Sequence, residues 1–211
     1  NPTDGMSKLY NLLSQDFLYP EPFRNVIFLD NHDMTRFFTQ TGSNLDNYKM
    51  GLAFIMTTRG IPQLYYGTEI VMEGDKSKGD GRLRDDFPGG WPGDARNAFT
   101  GNGLTGQEKE ALDYTRLILN WRKAKDVIHT GRLKHYIPSD GVYVYFRYND
   151  DESVMVVINN NPDETRTIRV EKFAESLQGF SGGTDIISGR KIEDLGSFTV
   201  GPKTAMIIEL K

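Results

Sequence analysis

The chain has 211 residues, 37% hydrophobic and 26% charged, with a net charge of −4 and no cysteine. That is apolar enough to build a packed core, which excludes an intrinsically disordered chain, and the lack of a long basic run excludes a nucleic-acid scaffold, whose affinity needs clustered Lys and Arg. Without cysteine there is neither a disulfide nor a thiolate metal site, and no apolar run approaches the ~20 residues of a membrane-spanning helix.

The sequence opens Asn1-Pro2-Thr3 with no initiator Met and no signal peptide, which points to a processed product or a piece of a longer protein. From about Thr3 to Phe17, the spacing of Met6, Leu9, Leu13 and Phe17 predicts an amphipathic helix, ended by Pro20 and Pro22. Val26-Ile27-Phe28-Leu29 is a short continuous apolar run, the pattern of a strand buried on both faces of a parallel sheet. Leu45, Tyr48, Leu52, Ile55 and Met56 then recur at helical spacing, with Asn44 as the cap and Gly60 as the stop. Ile61 to Tyr66 is a second strand, its proline near the start, where one is tolerated. Helix, strand, helix, strand implies a parallel α/β architecture.

From Gly67 to Gly103 the pattern vanishes into Gly, Asp and Pro, far beyond the usual ~2–6 residue connection, which marks a functional or a disordered loop. Thr105-Gly106-Gln107-Glu108 is a capping box. It opens a helix with Leu112, Thr115, Leu119 and Arg122 on one face and Ile118 and Trp121 nearby. Beyond about Asp126 the period becomes two: Val142, Val144 and Phe146 alternate with Tyr143, Tyr145 and Arg147. Strands are also expected at Val154–Ile158, Thr165–Val170 and Thr204–Leu210, which suggests an antiparallel sandwich. The boundary falls near Lys125, dividing the chain into an α/β part, 1–125, and a β domain, 126–211.

The sharpest chemical feature is Phe28-Leu29-Asp30-Asn31-His32-Asp33, with Arg36 just after. Parallel folds bind ligands at the carboxyl ends of their strands. A carboxylate beside His and Arg stays ionised, which suits it to binding hydroxyls or stabilising a cation. The same residues serve equally well as a polar turn capping the next helix. On strand alternation Asp30 points away from Asn31 and Asp33.

This segment strongly resembles the motif at the end of barrel strand seven in the α-amylase family. Gly60-Ile61-Pro62-Gln63-Leu64-Tyr65-Tyr66-Gly67-Thr68-Glu69 resembles the same family's strand-eight motif, and Asp86-Phe87-Pro88-Gly89-Gly90-Trp91 looks most like neopullulanase and cyclomaltodextrinase members. The resemblance covers essentially the whole chain. It implies a partial (β/α)8 TIM barrel, the last two strand–helix units, followed by an all-β antiparallel sandwich domain. It also implies retaining glycoside hydrolysis of α-glucan oligosaccharides from starch, maltodextrin, pullulan or cyclodextrin. Asp33 matches the third catalytic carboxylate, which binds ring hydroxyls and favours distortion of the sugar at the cleavage point. His32 matches the histidine that hydrogen-bonds that sugar, with Asn31 beside it, and Arg36 matches a nearby basic residue. Glu69 and Tyr66 match structural positions near the site. Retaining catalysis needs two further carboxyl groups about 5–5.5 Å apart. Nothing in the sequence resembles the strand-four and strand-five segments that carry them, so the isolated chain is expected to be inactive.

Other residues admit two readings each. Trp91 either stacks on a sugar ring or pins its loop to the barrel. Arg84, with Arg82, Asp85 and Asp86, either lines outer subsites or is solvated. No cofactor is implied; Asp75, Asp80, Asp85, Asp86 and Asp94 offer oxygen donors that calcium would take, but their spacing is not that of an EF-hand. His129 and His135 read as polar groups of the β domain rather than metal ligands. Tyr143, Tyr145 and Tyr148 form either a starch-binding patch or, more simply, a packed strand face. The open edges of a two-strand barrel segment point to self-association or to a longer protein that supplies the remaining barrel units. Two other identities compete: a non-catalytic carbohydrate-binding or assembly module with a barrel remnant, and part of an amino-acid-transporter heavy chain, a group that tends to lose these site residues. The compartment stays open between periplasm and cytoplasm.

Overall fold

The computed structural model describes residues 2–211. Helix α1 (Pro2–Leu13) buries Met6 and Leu13 as the spacing requires. The stripe ends there: Phe17 lies in a 3-10 turn, Asp16–Leu18, and is 82% exposed. The turn is fixed by Arg59, whose guanidinium forks onto Asp16 at 2.7–3.0 Å, and this leaves Phe17 facing outward.

Strand β1 (Val26–Phe28), helices α2 (Phe37–Gln40) and α3 (Leu45–Thr57), and strand β2 (Ile61–Gln63) follow. The two strands pair in parallel, Val26 with Ile61 through Phe28 with Gln63. The expected burial on both faces does not hold: Val26 is 55%, Phe28 43% and Ile61 53% exposed. Each strand has a single neighbour among the described residues, and only the Ile27 side packs on the core. Asn44 caps α3, its Oδ1 accepting the Asn47 N–H at 2.9 Å. The helix stops at Thr57, before Gly60. Gly60 is instead required by the turn into β2: its φ is +105°, and a Cβ there would lie 2.8 Å from the Asn25 carbonyl.

The segment 67–103 is irregular but ordered, built on 3-10 turns at Thr68–Ile70, Lys76–Lys78 and Asp80–Leu83, with Ile70, Leu83, Ala98 and Leu104 buried beneath it. Helix α4 (Gly106–Lys123) opens with the capping box: Thr105 Oγ1 accepts the Glu108 N–H at 3.2 Å, and Glu108 Oε2 accepts the Thr105 N–H at 2.7 Å. Thr105→Ala is therefore expected to cost about 1 kcal/mol in urea unfolding; an unchanged midpoint would contradict that cap. The buried face of α4 is Ala111, Thr115, Ile118 and Arg122, while Leu119 is 39% exposed. Thr115, Ile118 and Arg122 are buried as the spacing predicts, while Ala111 takes the place expected of Leu112, which is half-buried. The Tyr48 hydroxyl, bonded to Thr115 at 2.9 Å, fixes the helix's rotation against α3.

A short helix α5 (Asp126–His129) opens the β domain, so His129 is helical. The large sheet runs β3 (Arg132–His135), β4 (Val142–Tyr148), β5 (Ser153–Asn159), β10 (Thr204–Leu210), β7 (Gly183–Asp185) and β8 (Lys191–Ile192), all antiparallel. A second layer holds β6 (Arg166–Arg169) paired with β9 (Ser197–Val200), and a short helix α6 (Ala174–Leu177). The result is a lopsided sandwich, six strands against two. Alternation gives the large sheet two buried faces. Val144, Phe146, Met155, Val157 and Ile208 pack on Ile168, Phe173 and Phe198 of the second layer. Tyr143, Tyr145, Val154, Val156 and Ile207 pack with residues of α1, α3 and α4 in a core that runs across position 125. Tyr143 and Tyr145 are thus packing, while Tyr148 at the end of β4 is half-buried: the Tyr145 hydroxyl meets Thr57 at 2.6 Å and the Tyr143 hydroxyl meets His135 Nδ1 at 2.9 Å.

Two guanidinium groups bind this interface. Arg147, 1% exposed, donates to the Thr57 and Thr58 carbonyls at 3.1 and 2.9 Å and to the Gly131 carbonyl at 2.8 Å. Arg122 donates to the Met56 carbonyl at 2.7 Å. Both charges sit on the carbonyl end of α3, where the helix dipole is negative. Burial lowers the Arg147 pKa to about 10.

His135 stacks on Tyr10, ring centroids 4.6 Å apart, and burial pulls its pKa below the ordinary value of 6.5. The unfolded chain then takes the proton first. Stability is full above about pH 6.5 and declines as pH falls through that value toward the lower folded one. Urea midpoints measured across this range are expected to fall on the acid side, and His135→Phe is expected to flatten that slope.

Candidate active site

Strand β1 delivers its carboxyl end to a tight turn in which Asn31 Oδ1 accepts the Asp33 N–H at 2.9 Å. His32 and Asp33 project outward together: His32 Nε2 lies 3.2 Å from Asp33 Oδ2, with both side chains about three-fifths exposed. The other carboxylate oxygen, Oδ1, is held at 2.9 Å by Arg84 Nη2, and Arg84 Nε reaches the His32 carbonyl at 3.2 Å. Asp80 approaches the same guanidinium at 3.5 Å. The long loop thus closes over the strand end through one arginine shared by two carboxylates. Asp80 also pairs with Lys76, whose hydrogen bond is the first cause of its lowered pKa. The i, i+4 spacings Lys76–Asp80–Arg84 are the sequence signal that would have found Asp80.

Beneath the turn is a clamp. Asp30, 2% exposed, faces inward as the alternation predicts. Its Oδ2 accepts the Phe37 N–H at 2.8 Å, and its Oδ1 accepts the Thr68 hydroxyl at 2.9 Å. Arg36 is the main departure from the sequence reading. It is fully buried, so no sugar reaches it. Its guanidinium lies 4.1 Å from the Tyr65 ring centroid and 4.9 Å from that of Tyr66, and it donates to the Tyr66 carbonyl. Its own N–H bonds the Gly74 carbonyl at 2.8 Å. Arg36 and Asp30 together bolt the turn bearing Asp33 to the loop after β2. Tyr66 completes the bolt by donating its hydroxyl to the Asp85 carbonyl at 3.0 Å. Glu69, beside Arg36, has its pKa raised by burial, and its Oε2 has no hydrogen-bond partner.

Trp91 is 63% exposed, so it does not pin its loop to the barrel segment. Its backbone is set by Asp94, whose Oδ2 accepts the Gly89 and Trp91 N–H groups at 2.9 and 3.1 Å. Of the five aspartates weighed for calcium, all but Asp86 are engaged by other partners. Asp75 caps Ser77, Asp80 pairs with Lys76 and Arg84, Asp85 pairs with Arg82, and Asp94 holds its own turn. Among the described residues no three His, Cys, Asp or Glu side chains form a metal-holding group. His129 and His135 are spent on the Arg122 carbonyl and the Tyr143 hydroxyl.

A parallel strand–helix unit backed by an antiparallel β domain places the chain in the α/β class, with a carboxylate and a histidine at its strand end. The comparisons place it more closely. Residues 5–153 match the family model "Alpha amylase, catalytic domain", and residues 133–209 match "Cyclo-malto-dextrinase C-terminal domain". The chain belongs to the α-amylase family. It is 25% identical over 202 residues to a cyclomaltodextrin glucanotransferase of Geobacillus stearothermophilus, covering 92% of this chain and 26% of the relative. It is 31% identical over 157 residues to alpha-amylase 3 of Dictyoglomus thermophilum, covering 66% of this chain and 30% of that protein. The α-amylase of Geobacillus thermoleovorans, solved with acarbose, shares the fold at a TM-score of 0.76 and 24% identity, over 96% of this chain and 42% of that one. The chain thus spans between a quarter and a third of the length of these curated relatives.

Proposed function

We propose that this chain supplies one wall of an α-glucan-cleaving, retaining active site, with Asp33 as its transition-state-stabilising carboxylate. The observation that carries the reading is the pairing of Asp33 with His32 at the open carboxyl end of β1, a carboxylate acceptor and an imidazole set side by side for vicinal sugar hydroxyls. Arg84 Nη2 already donates to Asp33 Oδ1 at 2.9 Å, a pairing that suits this carboxylate to an acceptor's role. Asp80, the nearest other carboxylate to that guanidinium, is held in its charged form by Lys76 and so is no general acid. Asn31 shapes the turn, Arg84 and Trp91 extend the wall toward outer subsites, and Arg36 acts from beneath. The substrate class is α-glucan; relatives solved with acarbose, maltose or maltotriose support it. The unpaired edges of β1 and β2 take either the remaining barrel strands or a second copy of the chain.

The test has two arms. The purified 211-residue chain is expected to release no nitrophenol from an α-nitrophenyl maltoside; turnover would overturn the assignment of roles. In a longer polypeptide carrying the remaining barrel strands, Asp33→Asn is expected to lower kcat by about two to three orders of magnitude with little change in KM. Unchanged kcat would remove Asp33 from the chemistry.

A further inference from the structure

A concavity of about 910 Å³ lies away from Asp33, in the β domain. It opens between the end of β3 with its following turn on one side and the whole of β6 on the other, over a floor that includes Val142, Val144, Ile168 and Phe173. Five consecutive residues, Thr165 to Arg169, line it. Strand β6 pairs with β9 on one side only, and no other strand bonds its outer edge. In an antiparallel pair, alternate residues turn their N–H and C=O groups away from the partner, so this edge presents unpaired donors and acceptors along the groove.

We propose that this groove receives an extended acidic polypeptide segment, which adds as a strand to the free edge of β6. The rim decides the occupant. Arg169 and Lys172 are exposed and carry no ion pair among the described residues, and Arg166 joins them, in a chain whose net charge is −4. Arg166 is partly offset by Glu164, and Asp140 is the one acid in the lining. An apolar floor takes alternate side chains, the cations take the acidic ones between them, and backbone bonds supply the rest, which is the logic of strand addition. A neutral glucan fits less well. The groove's two aromatic rings, Tyr136 and Phe173, pack edge-on against each other at 4.8 Å, and Tyr136 also meets Phe146 at 5.8 Å, so neither stands as a free stacking platform. A second copy would set these cations against themselves.

The experiment uses the full 211-residue chain and a rhodamine-labelled acetylated peptide of alternating Glu and Val. Fluorescence anisotropy at low salt is expected to show saturable binding about tenfold or more tighter than that of the matching Lys–Val peptide. The double substitution Arg169→Glu with Lys172→Glu, both on exposed side chains, is expected to weaken the acidic peptide about tenfold while leaving the circular dichroism spectrum unchanged. Amide resonances of alternate β6 residues are expected to shift on binding. Equal binding of the two peptides, no effect of the double substitution, displacement by maltoheptaose, or no saturable binding would each overturn the proposal.

Discussion

Replacing Arg147 with Met is expected to lower the unfolding free energy by about 3–5 kcal/mol, because it strips a buried group whose partners stay behind. Among the described residues Arg147 has no carboxylate within ion-pair distance; its guanidinium is matched to backbone carbonyls from Thr57, Thr58, Gly131 and Arg132. Those acceptors close the end of α3 and the start of β3, so the one side chain satisfies groups on both sides of the junction between the α/β part and the β domain. Methionine fills much of the volume but leaves several buried carbonyls without donors. Arg147→Lys keeps a charge yet lacks the planar fork, and is expected to recover only part of the loss. Urea unfolding of the three proteins checks this; a loss below about 1 kcal/mol for Met would show that water satisfies the carbonyls.

Asp30→Ala is expected to cost about 2–4 kcal/mol and to loosen the turn that carries His32 and Asp33. The carboxylate joins the first N–H of α2, at Phe37, to the Thr68 hydroxyl on the neighbouring loop, and both partners are left without an acceptor in the variant. Amide hydrogen exchange reads the two effects separately. Exchange at His32, Asp33 and Met34 is expected to accelerate more than the global loss of stability explains. Protection that falls only with global stability would reduce Asp30 to a packing residue.

Much of this molecule is legible in its sequence, and the exceptions share a physical cause. The caps at Asn44 and Thr105 are local chemistry, settled within four residues, and the structure shows both. The two-residue alternation of β4 is equally plain. Period alone does not say what covers each face, and here the Tyr143–Tyr145 face is covered by helices from the other half of the chain. The small strands β7, β8 and β9 are two to four residues long, too short to show a period. Along α4 the spacing finds Thr115, Ile118 and Arg122 but also favours Leu112 and Leu119, which look like core residues until a distant hydroxyl, that of Tyr48, fixes Thr115 at the centre of the face.

At the site, the motif residues Asn31, His32 and Asp33 stand where a strand-end reading puts them. Arg36 does not, because proximity in sequence said nothing of Tyr65 and Tyr66, which arrive from the next strand and cover it. Arg84 meets Asp33 across a separation of 51 residues. Only the assembled fold could show that contact, although the resemblance to α-amylase family sequences had already marked the loop.

The most direct test is a nuclear magnetic resonance titration of the 211-residue chain with maltotriose. A pair of sugar-binding groups on one wall is expected to bind weakly, with a Kd of about millimolar. Shifts should be centred on the His32 imidazole, the Asp33 amide and the Arg84 guanidinium, and Asp33→Asn should abolish them. Shifts confined to the β domain, or a response at His32 that survives Asp33→Asn unchanged, would contradict the placement of a sugar-binding carboxylate at the end of β1.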